Sequence, residues 1–411
     1  MPFAHTARAV SAIYTIADHV VRLITGKSTM AINSTCISRR GWLQRAGLTT
    51  VAAAAPAWAQ PGKPAASART VVIAQLVDFS DSQQDVSKDF LIGSRAAWQD
   101  INARGGIRGR QVTHLTVETD GTADRVRTAL IETMNNPACV ALSGSVGDML
   151  ASRIAGMSGQ VGLNIAHVAP WLQNSSLEVD DKTFPIFAAR QEQIAHALKN
   201  LSAMGMKTLG AVYASGREHT AYHLEVERIA AGMQLQLMSF KGAGDIGLLG
   251  QKFTPDTPAV LLFVGGTPEL AQFTQGLEKQ ARQRYIVALA DVNLQTLMQM
   301  GTARNTPIIA TQPVPMVNAS MPVVRQYREI LARLFDEPPT PHSLAGFIAA
   351  RYTFEVLNDI DGPLTRQSAL AGFQNRASLS IGGFRVNFNT HGRSGAYVTQ
   401  SMMAPDGRLI G

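Results

Sequence analysis

From Thr70 onward, short apolar runs rich in β-branched residues alternate with stretches whose apolar positions recur every three to four residues. The short β-branched runs predict strands at Val71–Leu76, Val112–Val117, Cys139–Gly144, Leu163–Val168, Thr208–Tyr213, Gln234–Phe240, Ala259–Val264, Tyr285–Leu289 and Pro307–Thr311. Helices fit between them, at Asp124–Met134, Met149–Ser158, Gln191–Met204, His219–Met233, Pro268–Arg282 and Leu294–Met300. An earlier one is marked by Leu91, Ser94, Ala97, Trp98 and Ile101, which share one face. After Pro313-Val314-Pro315 the pattern becomes helical at Pro322–Phe335, Ser343–Asn358 and Leu364–Asn375, and a terminal hairpin is expected to pair Phe384–Asn389 with Tyr397–Met402. Near-continuous apolar strands between amphipathic helices imply parallel sheets covered on both faces and joined by right-handed crossovers. The strands fall into two sets, one ending near Val168 and the other starting near Thr208, so two doubly wound lobes are expected.

Length and charge agree with this division. A chain of 411 residues suits two domains plus a leader, and with 45% apolar and 16% charged residues it has the material for large cores. The net charge of +7 is concentrated in the leader: residues 1–59 hold six basic side chains against Asp18 alone, leaving 31 basic and 29 acidic residues beyond. No basic face of the kind nucleic acid requires is present in the pattern. Within the leader, Ser38-Arg39-Arg40-Gly41-Trp42-Leu43-Gln44 precedes the weakly apolar run Ala46–Ala57 and the small-residue site Ala57-Trp58-Ala59, which looks like a twin-arginine export signal cleaved after Ala59. A chance Arg-Arg pair ahead of an ordinary secretory signal has the same destination, the periplasm. Met30 is a candidate start, since residues 1–29 lie upstream of a signal of normal length. Cys36 would leave with the leader, Cys139 would remain alone, and no cysteine stands at the cleavage site to carry a lipid. The mature chain is therefore expected to be soluble, without an internal disulfide or membrane anchor.

The run Asp100-Ile101-Asn102-Ala103-Arg104-Gly105-Gly106-Ile107-Arg108-Gly109-Arg110 closes the helix with a Gly-Gly turn and leads into the next strand. Together with Thr70-Val71-Val72-Ile73-Ala74-Gln75-Leu76-Val77, this strand, helix, Gly-Gly turn and strand closely resembles the opening of the type I periplasmic binding proteins, in particular the branched-chain amino-acid (Leu/Ile/Val) receptors of ABC importers. The resemblance covers nearly all of Thr70–Pro405. It implies an α/β fold of two doubly wound parallel-sheet lobes on a three-crossing hinge, with crossings near Phe187, Pro313–Val317 and Thr390–Gly395. Lobe 1 would comprise residues 70–187 and 317–390, and lobe 2 residues 188–313 and 396–405.

Site residues follow from the same resemblance. The loop Asp78–Val86 would bring Phe79 and Ser80 to the ligand and place Val86 where relatives often present an aromatic ring. Ser145, in Ser143-Gly144-Ser145-Val146-Gly147, would contact a ligand carboxylate at a helix N-terminus, or simply cap that helix. The second ligand loop reads Val168-Ala169-Pro170-Trp171, where Pro170 lacks the N–H that relatives use; Trp171 would stack on a ligand or pack under the hinge. Arg190 stands near the position of a family Asp and would fork onto a carboxylate or join an interlobe ion pair. Glu218 stands near another aromatic position, and Asp291 matches the acid that pairs with an α-amino group. The resemblance implies a binding protein, not an enzyme, that captures a small polar or carboxylate-bearing solute. It would need no cofactor, act as a monomer, and pass its ligand to ABC permease transmembrane subunits driven by cytoplasmic ATPases. The same clamp would also suit a receptor kinase or chemoreceptor, and a twin-arginine exported enzyme is the remaining alternative.

Other motifs add little. Gly242-Ala243-Gly244-Asp245-Ile246-Gly247 matches a dinucleotide fingerprint in letters, but no acid-terminated strand follows at the needed distance; a loop carrying Asp245 ahead of a brief helix is expected instead. Ser143-Gly144-Ser145 lacks the spacing of a nucleophile elbow. The nine histidines include His219 and His223 four apart, without an identifiable third metal ligand. Cys139 reads as a small buried hydrophobe.

Overall fold

In the computed structural model the described residues are 70–158, 162, 164–203, 205–300, 306–375, 378–395, 397–403 and 409–410, so the export signal expected within residues 1–59 lies outside them. The first sheet is built from β1 (Thr70–Asp78), β2 (Gln111–Thr119), β3 (Cys139–Ser143), β4 (Ala166–Val168) and β5 (Thr183–Phe184), in the order β2-β1-β3-β4-β5. All its pairings are parallel, β1 facing β2 in unbroken register from Thr70 opposite Gln111 to Asp78 opposite Thr119. The crossovers are α1 (Gln84–Ala103), α2 (Ala123–Met134) and α3 (Asp148–Met157). Alternation along β1 divides the two faces. Val71, Ile73 and Val77 pack with Phe90 and Trp98 of α1, whereas Val72, Ala74 and Leu76 pack with Val126 and Leu130 of α2 and Leu150 and Ile154 of α3.

The chain then runs through α4 (Arg190–Ala203), β6 (Thr208–Tyr213), α5 (Gly216–Gly232), β7 (Gln236–Lys241), α6 (Ile246–Gln251), β8 (Val260–Val264), α7 (Thr267–Leu277), β9 (Tyr285–Ala288), α8 (Leu294–Gln299) and β10 (Ile308–Gln312). Its parallel strands are ordered β7-β6-β8-β9-β10, the same winding as in the first sheet. Strand order therefore reverses at β1/β3 in one sheet and at β6/β8 in the other. Such reversals open crevices at the C-terminal ends of the strands.

Three further helices, α9 (Pro322–Leu334), α10 (Pro341–Asn358) and α11 (Arg366–Gln374), return to the first sheet, where Tyr327, Phe347, Tyr352 and Phe373 join the core around Phe90 and Trp98. Helix α10 is buried along nearly its whole length and lies in backbone contact with α1: a Cβ on Gly93 would stand 1.7 Å from the Ser343 carbonyl oxygen, and one on Gly346 1.9 Å from that of Phe90.

The expected terminal hairpin is corrected. Phe384–Asn389 does not pair with Tyr397–Met402. Instead β11 (Ser378–Ile381) pairs with β12 (Phe384–Asn387) across Gly382-Gly383, and β13 (Thr399–Met403) adds antiparallel to β10, followed by β14 (Leu409–Ile410). Gly382 and Gly383 both take positive φ, 50° and 95°, as a tight two-residue hairpin turn demands. The helix expected to reach Arg282 stops at Leu277, and β5 was not anticipated.

The Gly-Gly run shapes the first lobe. Asn102, at the end of α1, binds Val112 at both backbone groups, its Nδ2 donating to the carbonyl and its Oδ1 accepting the N–H, each at 2.8 Å. This fixes where β2 begins, at the sheet edge opposite the strand ends that form the site.

Candidate functional site

Strand β1 ends in Asp78, which is buried; its Oδ1 accepts the Ser80 N–H at 2.9 Å and its carbonyl accepts the Ser87 hydroxyl at 2.6 Å. The turn after β3 folds against it, Val146 N–H donating to the Leu76 carbonyl and Asp78 N–H to that of Val146. Helix α3 then begins with Asp148. From the second sheet, the turn after β6 leads into α5 with Ser215 as its cap, and the turn after β8 passes Gly265 and Gly266 into α7.

The ends of these strands meet. A cavity of about 30 Å³ is lined from the first sheet by Asp78, Ser82, Gln83, Asp148 and Met149, and from the second by Arg217, Glu218, Tyr222, Val264, Gly265, Gly266 and Asp291. It therefore lies between the two points of strand reversal, where an open α/β sheet binds its ligands.

Beneath the cavity Arg190, the first residue of α4, is 1% exposed and surrounded by acids. Its Nη2 donates to Asp148 Oδ2 at 2.9 Å, its Nη1 to Glu225 Oε2 at 2.5 Å, and Asp291 Oδ2 stands 3.7 Å from Nη2. The guanidinium lies 4.2 Å from the centroid of the Tyr222 ring. Backbone donors complete two of the acids: Gln173 and Asn174 N–H groups reach Asp148 Oδ1 at 2.7 and 2.9 Å, and Ser175 N–H reaches Glu225 Oε1 at 2.6 Å. Burial opposes the charge of Arg190, but Glu225, Asp148, Tyr222 and Asp291 outweigh it and hold its pKa well above the usual value.

One guanidinium cannot neutralise three carboxylates. Asp291 is the one left over: its Oδ1 is buried with no hydrogen-bond partner among the described residues, and its side chain is 17% exposed. Burial, aided by Asp148 and Glu225 and opposed by Arg190, raises its pKa to about 7. Tyr222 is likewise pushed well above its ordinary value, first by burial and then by Asp148. With Asp78 and Glu218 added and Arg217 as the one cation among the lining residues, the site carries a surplus of negative charge.

The residues expected from the sequence divide into two groups. Glu218 and Asp291 line the cavity, Glu218 accepting from the Ser215 hydroxyl, and Arg190 lies directly beneath with both Nη groups held by protein carboxylates rather than free to fork onto a ligand, its buried Nε having no partner among the described residues. Phe79 is half-buried against the first core, and Ser80 turns back to Asp78; neither lines the cavity. Val86, Val168, Ala169 and Trp171 are fully buried core residues. Trp171 packs edge-on against Phe90, Phe187 and His342, so of its two expected roles the structure places it in packing. Ser145 is also fully buried; its carbonyl accepts the Trp171 N–H, and its hydroxyl has no partner among the described residues.

Sequence reasoning missed Asp78, Asp148, Arg217, Tyr222 and Glu225. An acid ending the first strand and another opening α3 were readable signals; Tyr222 and Glu225 on α5 were not, because only packing turns them toward Arg190. Elsewhere, Asp245 caps α6 by accepting the Gly247 N–H at 2.8 Å, as expected of a loop rather than a nucleotide site. His219 and His223 are stacked with centroids 4.5 Å apart, Cys139 is buried with its pKa raised by desolvation, and no group of three metal-ligating side chains occurs among the described residues. No described helix is long and apolar enough to cross a membrane.

Comparison with known proteins agrees with this geometry. No curated protein matches the chain by sequence. Among solved structures, an extracellular ligand-binding receptor from Verminephrobacter eiseniae superposes with a TM-score of 0.75 at 18% identity, covering 83% of this chain and 100% of that one. A substrate-binding periplasmic protein from Ralstonia solanacearum gives 0.73 at 19% identity, covering 83% and 99%. A leucine-binding protein from Thermotoga maritima gives 0.68 at 15% identity, covering 83% and 97%. The sequence itself matches the periplasmic binding protein family over residues 70–403, and the chain belongs to that family of solute-binding proteins.

Proposed function

We propose that this protein is the periplasmic solute receptor of an ABC importer and that its ligand carries an ammonium group, as an amino acid or related amine does. One observation carries the reading. Asp291 lines a cavity at the facing strand ends with an unpaired buried oxygen and more acids around it than Arg190 neutralises. A ligand cation there would supply the missing partner, and the charge-assisted bond would form with Asp291 ionised.

Lobe 1 would comprise residues 70–187 and 317–390, lobe 2 residues 188–313 and 396–405, closing on the ligand as a clamp. The leader would direct export and be removed after Ala59. The closed monomer would then dock on permease transmembrane subunits with ATPases behind them. The leucine-binding protein of similar fold supports the amino-acid class.

A thermal-shift screen against neutral, basic and acidic amino acids, amides and carboxylic acids lacking an amine tests this. An ammonium-bearing compound should stabilise the protein, by roughly 2.7 kcal/mol at a hundredfold excess over its dissociation constant. Asp291→Asn should abolish that shift. Stabilisation by amine-free carboxylic acids alone, undisturbed in Asp291→Asn, would overturn the assignment.

A further inference from the structure

Outside the residues that line the cavity, the start of α1 touches the starts of α7 and α8. Asp85 and Asp89 stand one turn apart on α1. Thr267 Oγ1 donates to Asp85 Oδ2 at 2.6 Å, and Asn293 Nδ2 donates to Asp89 Oδ2 at 2.8 Å. The two donors are themselves joined, Asn293 N–H donating to Thr267 Oγ1 at 2.9 Å. Asn293 Oδ1 is committed to capping α8, accepting the N–H groups of Gln295 and Thr296 at 3.1 and 3.3 Å. Its amide nitrogen must therefore face outward, and Asp89 is what it meets. Thr267 and Asn293 are 0% and 2% exposed. Next to them the backbones almost touch: a Cβ on Gly266 would stand 2.3 Å from the Ser82 carbonyl oxygen.

We propose that Asp85, Asp89, Thr267 and Asn293 form a latch that biases the two lobes toward closure through protein contacts alone, independently of the ligand cavity. The inference rests on the clamp reading above. Its chemistry suits reversibility. The two hydrogen bonds are charge-assisted, which makes them strong for their number, but on opening all four groups regain water, so the balance is shifted rather than frozen. Because a ligand binds only the competent state, its apparent dissociation constant is the intrinsic one divided by the closed fraction. Asp85 and Asp89 are thus positioning residues that raise affinity without touching the ligand.

The test is small-angle scattering on three ligand-free chains, unfolded in guanidinium, dialysed and refolded: the natural protein, Asp85→Ala/Asp89→Ala, and Gly266→Leu. The third is a wedge. Gly266 has φ −89°, which suits any residue, so a side chain there obstructs the approach to Ser82 and otherwise meets the end of the Glu269 side chain, which can swing aside. Far-UV dichroism and a cooperative melt establish that each variant is folded. The natural protein should have the smallest radius of gyration, the wedge the largest, and the double alanine variant should move from the first toward the second. If the wedge expands but the double variant keeps the natural radius, or if the natural protein and the wedge both exceed the radius calculated from the closed structure by the same amount, the latch is overturned while the clamp stands. If the folded wedge and the natural protein both keep the radius calculated from the closed structure, the lobes do not move and clamp and latch fall together.

Discussion

Two of the polar contacts that join the two sheets are built in opposite ways. At the rear, Arg190 is 1% exposed, ringed by Asp148, Glu225 and Asp291, and stacked on Tyr222, with backbone N–H groups of Gln173, Asn174 and Ser175 completing the acids. At the front, Asp85 and Asp89 each accept one side-chain hydrogen bond from across the gap and remain only partly buried. Desolvated charges that lose a partner have no water to replace it, whereas part-exposed groups do. The rear contact is therefore suited to a permanent pivot beside the first crossing of the chain, and the front to a contact that opens.

The sharpest way to break this contrast is at Arg190. Arg190→Met should lower unfolding stability by about 3–5 kcal/mol, since it strands buried carboxylates; guanidinium denaturation reads the loss, and a change below about 1 kcal/mol would make the two regions alike.

Titration separates them next. Asp291 has a folded pKa near 7, far above its unfolded value, so the folded state binds the extra proton and stability falls as pH rises from about 4 through 7. His167 acts in the opposite sense. Burial lowers its pKa to about 4, so the folded state rejects a proton that the unfolded chain takes below about 6.5, and stability falls on acidification through that range. Asp291→Asn should thus be more stable than the natural protein at pH 8 and show a steeper loss on acidification, measured by melting temperature across pH 4 to 8. No gain at pH 8 would mean that Asp291 is adequately paired by Arg190.

The smallest expected effect is at the front. Asp85→Ala and Asp89→Ala should each change unfolding stability by about 1 kcal/mol or less, although they alter the closure equilibrium. A loss as large as that at Arg190 would show that the front contact holds the fold and not merely its closed form.

Much of the architecture was legible in the chain. Short apolar runs located β1–β3 and β6–β10 to within two residues; the central strands β1, β3, β6, β8, β9 and β10 are buried on both faces, which leaves little else those runs can form, whereas β2 and β7 lie at sheet edges and are largely exposed. The hairpin at the end was misread. Ile381-Gly382-Gly383-Phe384 is a strong two-residue turn signal, but the half-exposed strands around it lack a continuous apolar run. The ligand loops were harder still. The resemblance places Val86 and Val168 at the cleft and leaves Trp171 between stacking on a ligand and packing under the hinge, whereas all three are fully buried in the first core, a direction set by packing and not by local pattern.

What the sequence determined by itself was the kind of object: two doubly wound sheets, the Gly-Gly turn that closes α1 ahead of β2, and Asp291 as an acid after a strand end. Those follow from short-range periodicity and turn chemistry. Only the tertiary structure decided that Arg190 belongs to the protein's own carboxylates, that Trp171 is core, and that Asp85 and Asp89 face Thr267 and Asn293. The partners in these contacts lie 16 to 204 residues apart. Charge balance and desolvation there depend on distances of a few ångströms that no local pattern encodes.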